Sequence, residues 1–212
     1  MKRTKTERNI YNIFNILNIF NYTQYSSMSS MSIPIMTIRF SDATWDQNCM
    51  YRTRFPEIGC IYGPTRKTTS KIPDDSLVFV IEMNNTQNKV QGIGLIRNKV
   101  NFEKNYRVYE AGNYNRYIYK SKYRLDRDVL TSYHPELVSA LDYILFKEKT
   151  HLKRGCGFTR VPDKLWKHEK CRCVSVAEEN DMRKEIETMF RRHFAEIETE
   201  TETEETTTAK NI

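Results

Sequence analysis

The feature that most constrains this chain is a pair of β-rich runs on either side of a short polar segment. Leu77-Val-Phe-Val-Ile-Glu-Met83 and Val90-Gln-Gly-Ile-Gly-Leu-Ile96 flank the turn-forming stretch 84–89. Branched and aromatic residues suit a pleated surface, and so short a connection returns the chain beside itself, which predicts an antiparallel hairpin. Val78, Phe79, Val80 and Ile81 leave neither face polar, so the first strand should be covered on both sides. Gly92 and Gly94 fall two apart, on one face, where missing side chains make room for another backbone or a sharp bend. No helical pattern follows them, which excludes a dinucleotide-binding fingerprint.

The hairpin lies in a domain-sized middle section, 34–175, whose flanks differ from it. Residues 1–33 repeat Asn at every third position from Asn9 to Asn21 and close on a Ser/Met run. A three-residue repeat drifts on a helix of ~3.6 residues per turn, which predicts a low-complexity leader, with Met1, Met31 and Met36 all open as starts. The other reading is a basic amphipathic helix on a membrane surface or an import sequence. At the far end, 176–198 carries the apolar stripe of an amphipathic helix, and 199–212 alternates Glu and Thr as a disordered acidic tail would. The chain carries +7 overall, yet 34–194 alone holds 29 basic and 20 acidic residues. That surplus favours an anionic partner such as DNA or RNA. Five cysteines, an odd number without a secretory pattern, predict a reducing intracellular compartment, nucleus or cytoplasm. No stretch approaches ~20 continuous apolar residues, so no membrane span is expected.

Residues 97–127 hold nine Lys/Arg, three Asp/Glu, six Tyr and Phe102. Tyr117, Tyr119 and Tyr123 share one parity, and Arg116, Lys120, Lys122 and Arg124 share the other. On a strand this puts aromatics on one face and cations on the other. Aromatic faces stack bases and cationic faces follow phosphates; tyrosines at this spacing equally form a core with the lysines in water. Pro135 opens a helix with the stripe Leu137, Val138, Leu141, Ile144 and Leu145. A glycine-hinged basic loop, 151–160, then leads to a short strand, and 162–166 reads as a helical turn.

Taken in order, these segments resemble the EVE domain, a member of the PUA-like superfamily related to YTH domains. The likeness rests on Ile58-Gly-Cys-Ile-Tyr-Gly-Pro-Thr-Arg66, Lys71-Ile-Pro-Asp-Asp-Ser-Leu-Val-Phe-Val-Ile81, the run Val90 to Ile96, and Leu141 through the Arg154-Gly155 step. It covers about 45–170. Tyr62 stands where many EVE domains carry His, and the Tyr-rich segment after Phe102 is longer than the family's. The resemblance implies an α+β fold built on a mainly antiparallel, partly closed β-barrel with flanking helices. It also implies a nucleic-acid ligand, in some relatives a modified base held in an aromatic or polar pocket.

The functional expectation is therefore a binding module without a cofactor. Arg116, Lys120, Lys122, Lys153, Arg154 and Arg160 are the candidate phosphate contacts, and Trp45, Tyr62, Tyr119 and Trp166 the candidate base pocket, with core packing the competing role for each aromatic. Cys156, His168, Cys171 and Cys173 have the donor types of a zinc site but not its paired spacing, so no metal is expected. No nucleophile elbow, P-loop or His-Glu-x-x-His is present; acid–base chemistry on Glu148, His151 and Lys153 is the enzymatic reading left open. The alternative class is a structural or assembly component, for example of a virus particle, whose charge serves packing and not a specific nucleic acid.

Overall fold

The computed structural model describes residues 33–147, 149, 151–171 and 182–209, with side chains as far as 195. The fold is mixed α+β with a mostly antiparallel sheet. Residues 33–183 form one unit; the helix from 184 onward belongs to another and is treated by itself.

The predicted hairpin is present as β3 (Leu77–Asn84) and β4 (Lys89–Arg97), antiparallel from Leu77 opposite Arg97 to Asn84 opposite Lys89. Its turn is closed by the Asn84 carboxamide, whose Oδ1 accepts from the backbone N–H groups of Thr86 and Gln87, both at 3.0 Å. β1 (Ile35–Phe40) lies parallel to β3, Ile35 opposite Phe79 and Phe40 opposite Asn84. β6 (Arg124–Asp126) pairs with β4, and β7 (Thr159–Arg160) with the free side of β1, both antiparallel. The five-stranded order is β6-β4-β3-β1-β7; a second ladder joins β2 (Cys60–Tyr62) to β5 (Tyr119–Ser121).

Both faces of β3 are buried, as its apolar run requires. On one face Met36, Ile38, Phe40, Val78, Val80 and Ile96 pack with Ile61, Tyr62 and Tyr119 of the second ladder. The opposite-parity residues Phe79, Ile81, Ile93 and Leu95 are buried too, and α2 (Arg127–Tyr133) and α3 (Pro135–Phe146) pack along β4. α3 starts at its proline and buries the predicted stripe. Its Asp142 accepts from Val90 N–H at 2.7 Å and pairs with Arg127 at 2.8 Å, fixing the helix to the start of β4.

α1 (Asp42–Arg54) is not marked by periodicity, because its apolar residues are too few to make a stripe. It is written in its ends instead. Ser41 Oγ accepts from Thr44 N–H while Thr44 Oγ1 accepts from Ser41 N–H, Asp42 occupies the first turn, and Arg52 and Arg54 the last.

The basic strand expected across 116–124 is broken. A 3-10 turn at Gly112–Asn115 and a kink at 122–123 leave only β5 and β6, so the even-and-odd partition does not hold along it. Arg124 accordingly turns inward.

The expected turn at 162–166 is α4 (Asp163–Trp166). α5 runs Met182–Ala209, so its helical backbone continues through most of the Glu/Thr repeat. The leader through 32, Glu148, Cys173 and the predicted helix start at Val176 lie outside the described residues. Among the described residues no helix is long and apolar enough to cross a membrane.

Candidate nucleic-acid interface

The first level of the site is a buried polar scaffold. Glu82 is fully buried on β3 and meets Arg124 of β6, Nη2 to Oε2 at 2.8 Å, while Tyr62 Oη donates to Glu82 Oε1 at 2.8 Å. Arg124 also donates to the Gln91 carbonyl at 3.0 Å. The two strand glycines make this possible. A Cβ on Gly92 would come within 2.5 Å of Arg124 Nη2 and 2.8 Å of Glu82 Oε2; one on Gly94 would collide with Tyr62 Oη. The room expected beside Gly92 and Gly94 is thus filled by an ion pair and a tyrosine. Burial lowers the affinity of Arg124 for its proton, but Glu82 more than offsets that, and its pKa rises above the ordinary arginine value. Burial, then the nearby Cys60 and Glu82, pushes the Tyr62 phenol well up; burial raises the Cys60 thiol to about 12.

Next to it, Asn48 ties three elements together. Its Nδ2 donates to the Ile61 carbonyl at 2.7 Å and to Tyr109 Oη at 2.9 Å, and its Oδ1 accepts from Arg52 Nε at 2.9 Å. α1, β2 and the 100–118 segment are thereby locked at one point, with Tyr109 as the outermost member.

A cavity of about 370 Å³ opens over Tyr109. Its walls include Tyr114, Gly63, Pro64, Thr44, Asn85 and the Gly155–Gly157 loop. Tyr109 and Tyr114 stand edge-to-face, centroids 6.0 Å apart. Gly63 is needed for this, because a Cβ there would collide with the Tyr114 carbonyl oxygen. Arg39 lies in the same wall and clamps the 151–160 loop, donating to the carbonyls of Leu152, Gly155 and Gly157 and to the hydroxyls of Thr37 and Thr159. Gly155 and Gly157 take positive φ, 114° and 66°, to aim those carbonyls inward. Burial lowers the Arg39 pKa, yet no carboxylate pairs with it among the described residues, so the cavity has a cationic wall. Asn85 Nδ2 donates to the Lys153 carbonyl at 2.9 Å, whereas its Oδ1 is buried without a hydrogen-bond partner among the described residues. An acceptor in that state bears its desolvation cost uncompensated, which singles out Asn85 in the cavity lining.

The predicted residues distribute unevenly around this cavity. Tyr62 and Tyr119 are core: both meet Phe158 edge-to-face, and Tyr119 Oη bonds to Thr68. Trp166 is buried under Arg183, and Trp45 packs on Phe40 with the Arg52 and Arg124 guanidinium groups 5.4 and 5.7 Å from its ring. The four therefore do not form an open cage; Tyr62, Tyr119 and Trp166 fill the interior, as large aromatics usually do, and Trp45 is half-buried against it. Tyr109 and Tyr114, drawn from the same Tyr-rich segment, line the cavity in their place. Of the cations, Lys153 and Arg154 precede the Gly155–Gly157 wall and Arg116 follows the Tyr114 turn. Lys120 pairs with Glu103 at 3.1 Å, Lys122 is exposed with its ammonium 4.9 Å from the Tyr123 ring, and Arg160 is exposed on β7. Among the zinc candidates, Cys156 lines the cavity, Cys171 is buried with Sγ donating to the Leu165 carbonyl, and His168 Nδ1 accepts from Lys170 N–H. No group of three or more potential metal ligands occurs among the described residues. His151 Nδ1 accepts from Lys153 N–H, and Glu148 lies outside the described residues.

Comparison with protein-family models, characterised proteins and solved structures gave no match.

Proposed function

We propose that this chain is a nucleic-acid-binding module of PUA-like kind, its sheet and second ladder corresponding to a partly closed barrel, and that it seats one base in the cavity over Tyr109 and Tyr114. It acts by binding and not by catalysis. The observation that carries this reading is the combination in one cavity of two aromatic rings and the cationic wall of Arg39. A volume of about 370 Å³ falls in the range of small-ligand sites, which pair mostly apolar walls with a few directed polar groups. A flipped or unpaired base offers what those groups ask for: a π-face for the tyrosines and a phosphate for the cationic wall. Lys153 and Arg154 are placed in sequence to take the flanking phosphates.

Oligonucleotides differing at one central base, unmodified or modified, test this by fluorescence anisotropy. The expected result is a preference for one base that Tyr114→Ala abolishes while melting temperature stays near that of the parent. Tyr114 is 40% exposed, so its truncation costs little packing. Absence of binding to single- and double-stranded DNA and RNA at low salt overturns the reading and leaves the assembly-component alternative.

A further inference from the structure

A second, larger concavity of about 910 Å³ shares Tyr109 with the first and is lined by Gly112 and Asn115 of the turn that carries Tyr114. It runs between α1 and the 101–118 segment. Two of its residues are apolar side chains held out in solvent, Met50 at 72% exposure and Phe102 at 73%. Phe102 stacks on no ring among the described residues, so its faces are open. Four cations share the groove, Arg54, Lys104, Arg107 and Arg116, against the single carboxylate of Glu110. None of the four has a carboxylate partner among the described residues. Lys104 instead lies 4.9 Å from the Phe55 ring and 5.3 Å from the Tyr106 ring, and Arg116 5.3 Å from the Tyr117 ring.

We infer that this groove is a track for single-stranded nucleic acid, continuous past Tyr109 with the base cavity. The inference rests on the nucleic-acid reading and adds to it a strand state and a second contact surface. Cations without counter-charges are held close to aromatic rings, and that is the pattern of a channel that follows a phosphodiester backbone while bases stack along it. An exposed phenyl ring distinguishes strand states. Bases in a duplex already cover one another's faces, so Phe102 gains a partner only from an unstacked base.

The test titrates the full chain with oligo(dT) and oligo(rU) of increasing length, alone and annealed to their complements, and repeats it with Phe102→Ala and with the Lys104→Ala/Arg107→Ala pair. All three positions are exposed, so the variants keep the parent's melting temperature. Affinity should rise with length until the groove is filled, and single strands should bind more tightly than duplexes. Phe102→Ala should weaken long single strands roughly 5- to 150-fold and leave the shortest ones unchanged. The cation pair should reduce the slope of log K against log salt by ~0.7 per lost phosphate. Groove variants that bind long single strands as the parent does, or a parent that prefers duplex, overturn the track while leaving the base cavity standing. Loss of the Phe102 effect on deleting 196–212 assigns the groove to the chain's own acidic end and equally overturns it. A parent that binds no oligonucleotide overturns both proposals.

Discussion

The inward and outward halves of the 97–127 segment are built from the same residue types and do opposite things. Inward, Arg124 and Tyr119 join Tyr62 and Glu82 in the interior, held by hydrogen bonds among themselves and to Thr68 and Gln91. Outward, Phe102, Lys104, Arg107 and Arg116 stand in solvent without carboxylate partners among the described residues. The difference is in what faces each residue. A cation opposite two strand glycines finds room and a buried carboxylate; a cation on a turn finds only water and a ring face. Charge and aromaticity in a sequence therefore nominate a segment as functional, and the backbone decides which members serve the fold.

The largest effect should come from breaking the inward half. Glu82→Leu leaves the Arg124 guanidinium buried without its counter-charge, and the loss of stability by urea denaturation should be about 3–5 kcal/mol. Lys104→Ala/Arg107→Ala, in the outward half, should stay within about 0.5 kcal/mol of the parent. Equal losses in the two variants would erase the distinction.

Two glycines sharpen the same contrast. Gly63→Ala forces a Cβ onto the Tyr114 carbonyl and should cost about 1–3 kcal/mol, with weakened base selectivity because the Tyr109–Tyr114 pair is displaced. A methyl group on Gly112 would meet open space, with nothing within 4 Å, so Gly112→Ala should be silent in both assays. Thermal melts and the base-preference assay together check this pair.

The alkaline response of the interior probes the inward half through pH instead of substitution. Burial raises the Cys60 thiol from 9.0 to about 12 in the folded protein. The folded state then holds a proton that the unfolded chain has released, so stability is full below pH 9 and declines from there through about 12. The slope for one such group is about 1.4 kcal/mol per pH unit. Cys60→Ala should flatten the curve in that window, leaving the part owed to Tyr62 and Tyr109, whose phenols are raised by burial as well. A curve unchanged by the substitution would place the titration elsewhere.

Much of the frame was legible because it is local. The β3–β4 hairpin, α3 behind its proline, the short strand at 159–160 and the turn at 163–166 each announce themselves within a dozen residues. The parallel pairing of β1 with β3 does not. It needs a crossover through α1 and β2, and nothing in Ile35–Phe40 names its partner. α1 escaped because its signal is in its caps. The cationic loop 153–154 beside a cavity was legible as glycine-hinged charge, but the cavity's aromatics were not. Tyr62, Tyr119, Tyr109 and Tyr114 look alike in sequence, and only the broken strand at 112–123 separates the core pair from the lining pair.

Nucleic-acid binding at the cationic loop is tested most directly by a salt titration of oligonucleotide binding by the intact chain, run beside Lys153→Ala/Arg154→Ala. The expected result is binding that weakens linearly in log K against log salt, and a double variant with weaker binding and a slope smaller by ~0.7–0.9 for each phosphate contact removed, at an unchanged melting temperature. Binding that ignores salt, or a variant whose slope equals the parent's, would contradict it.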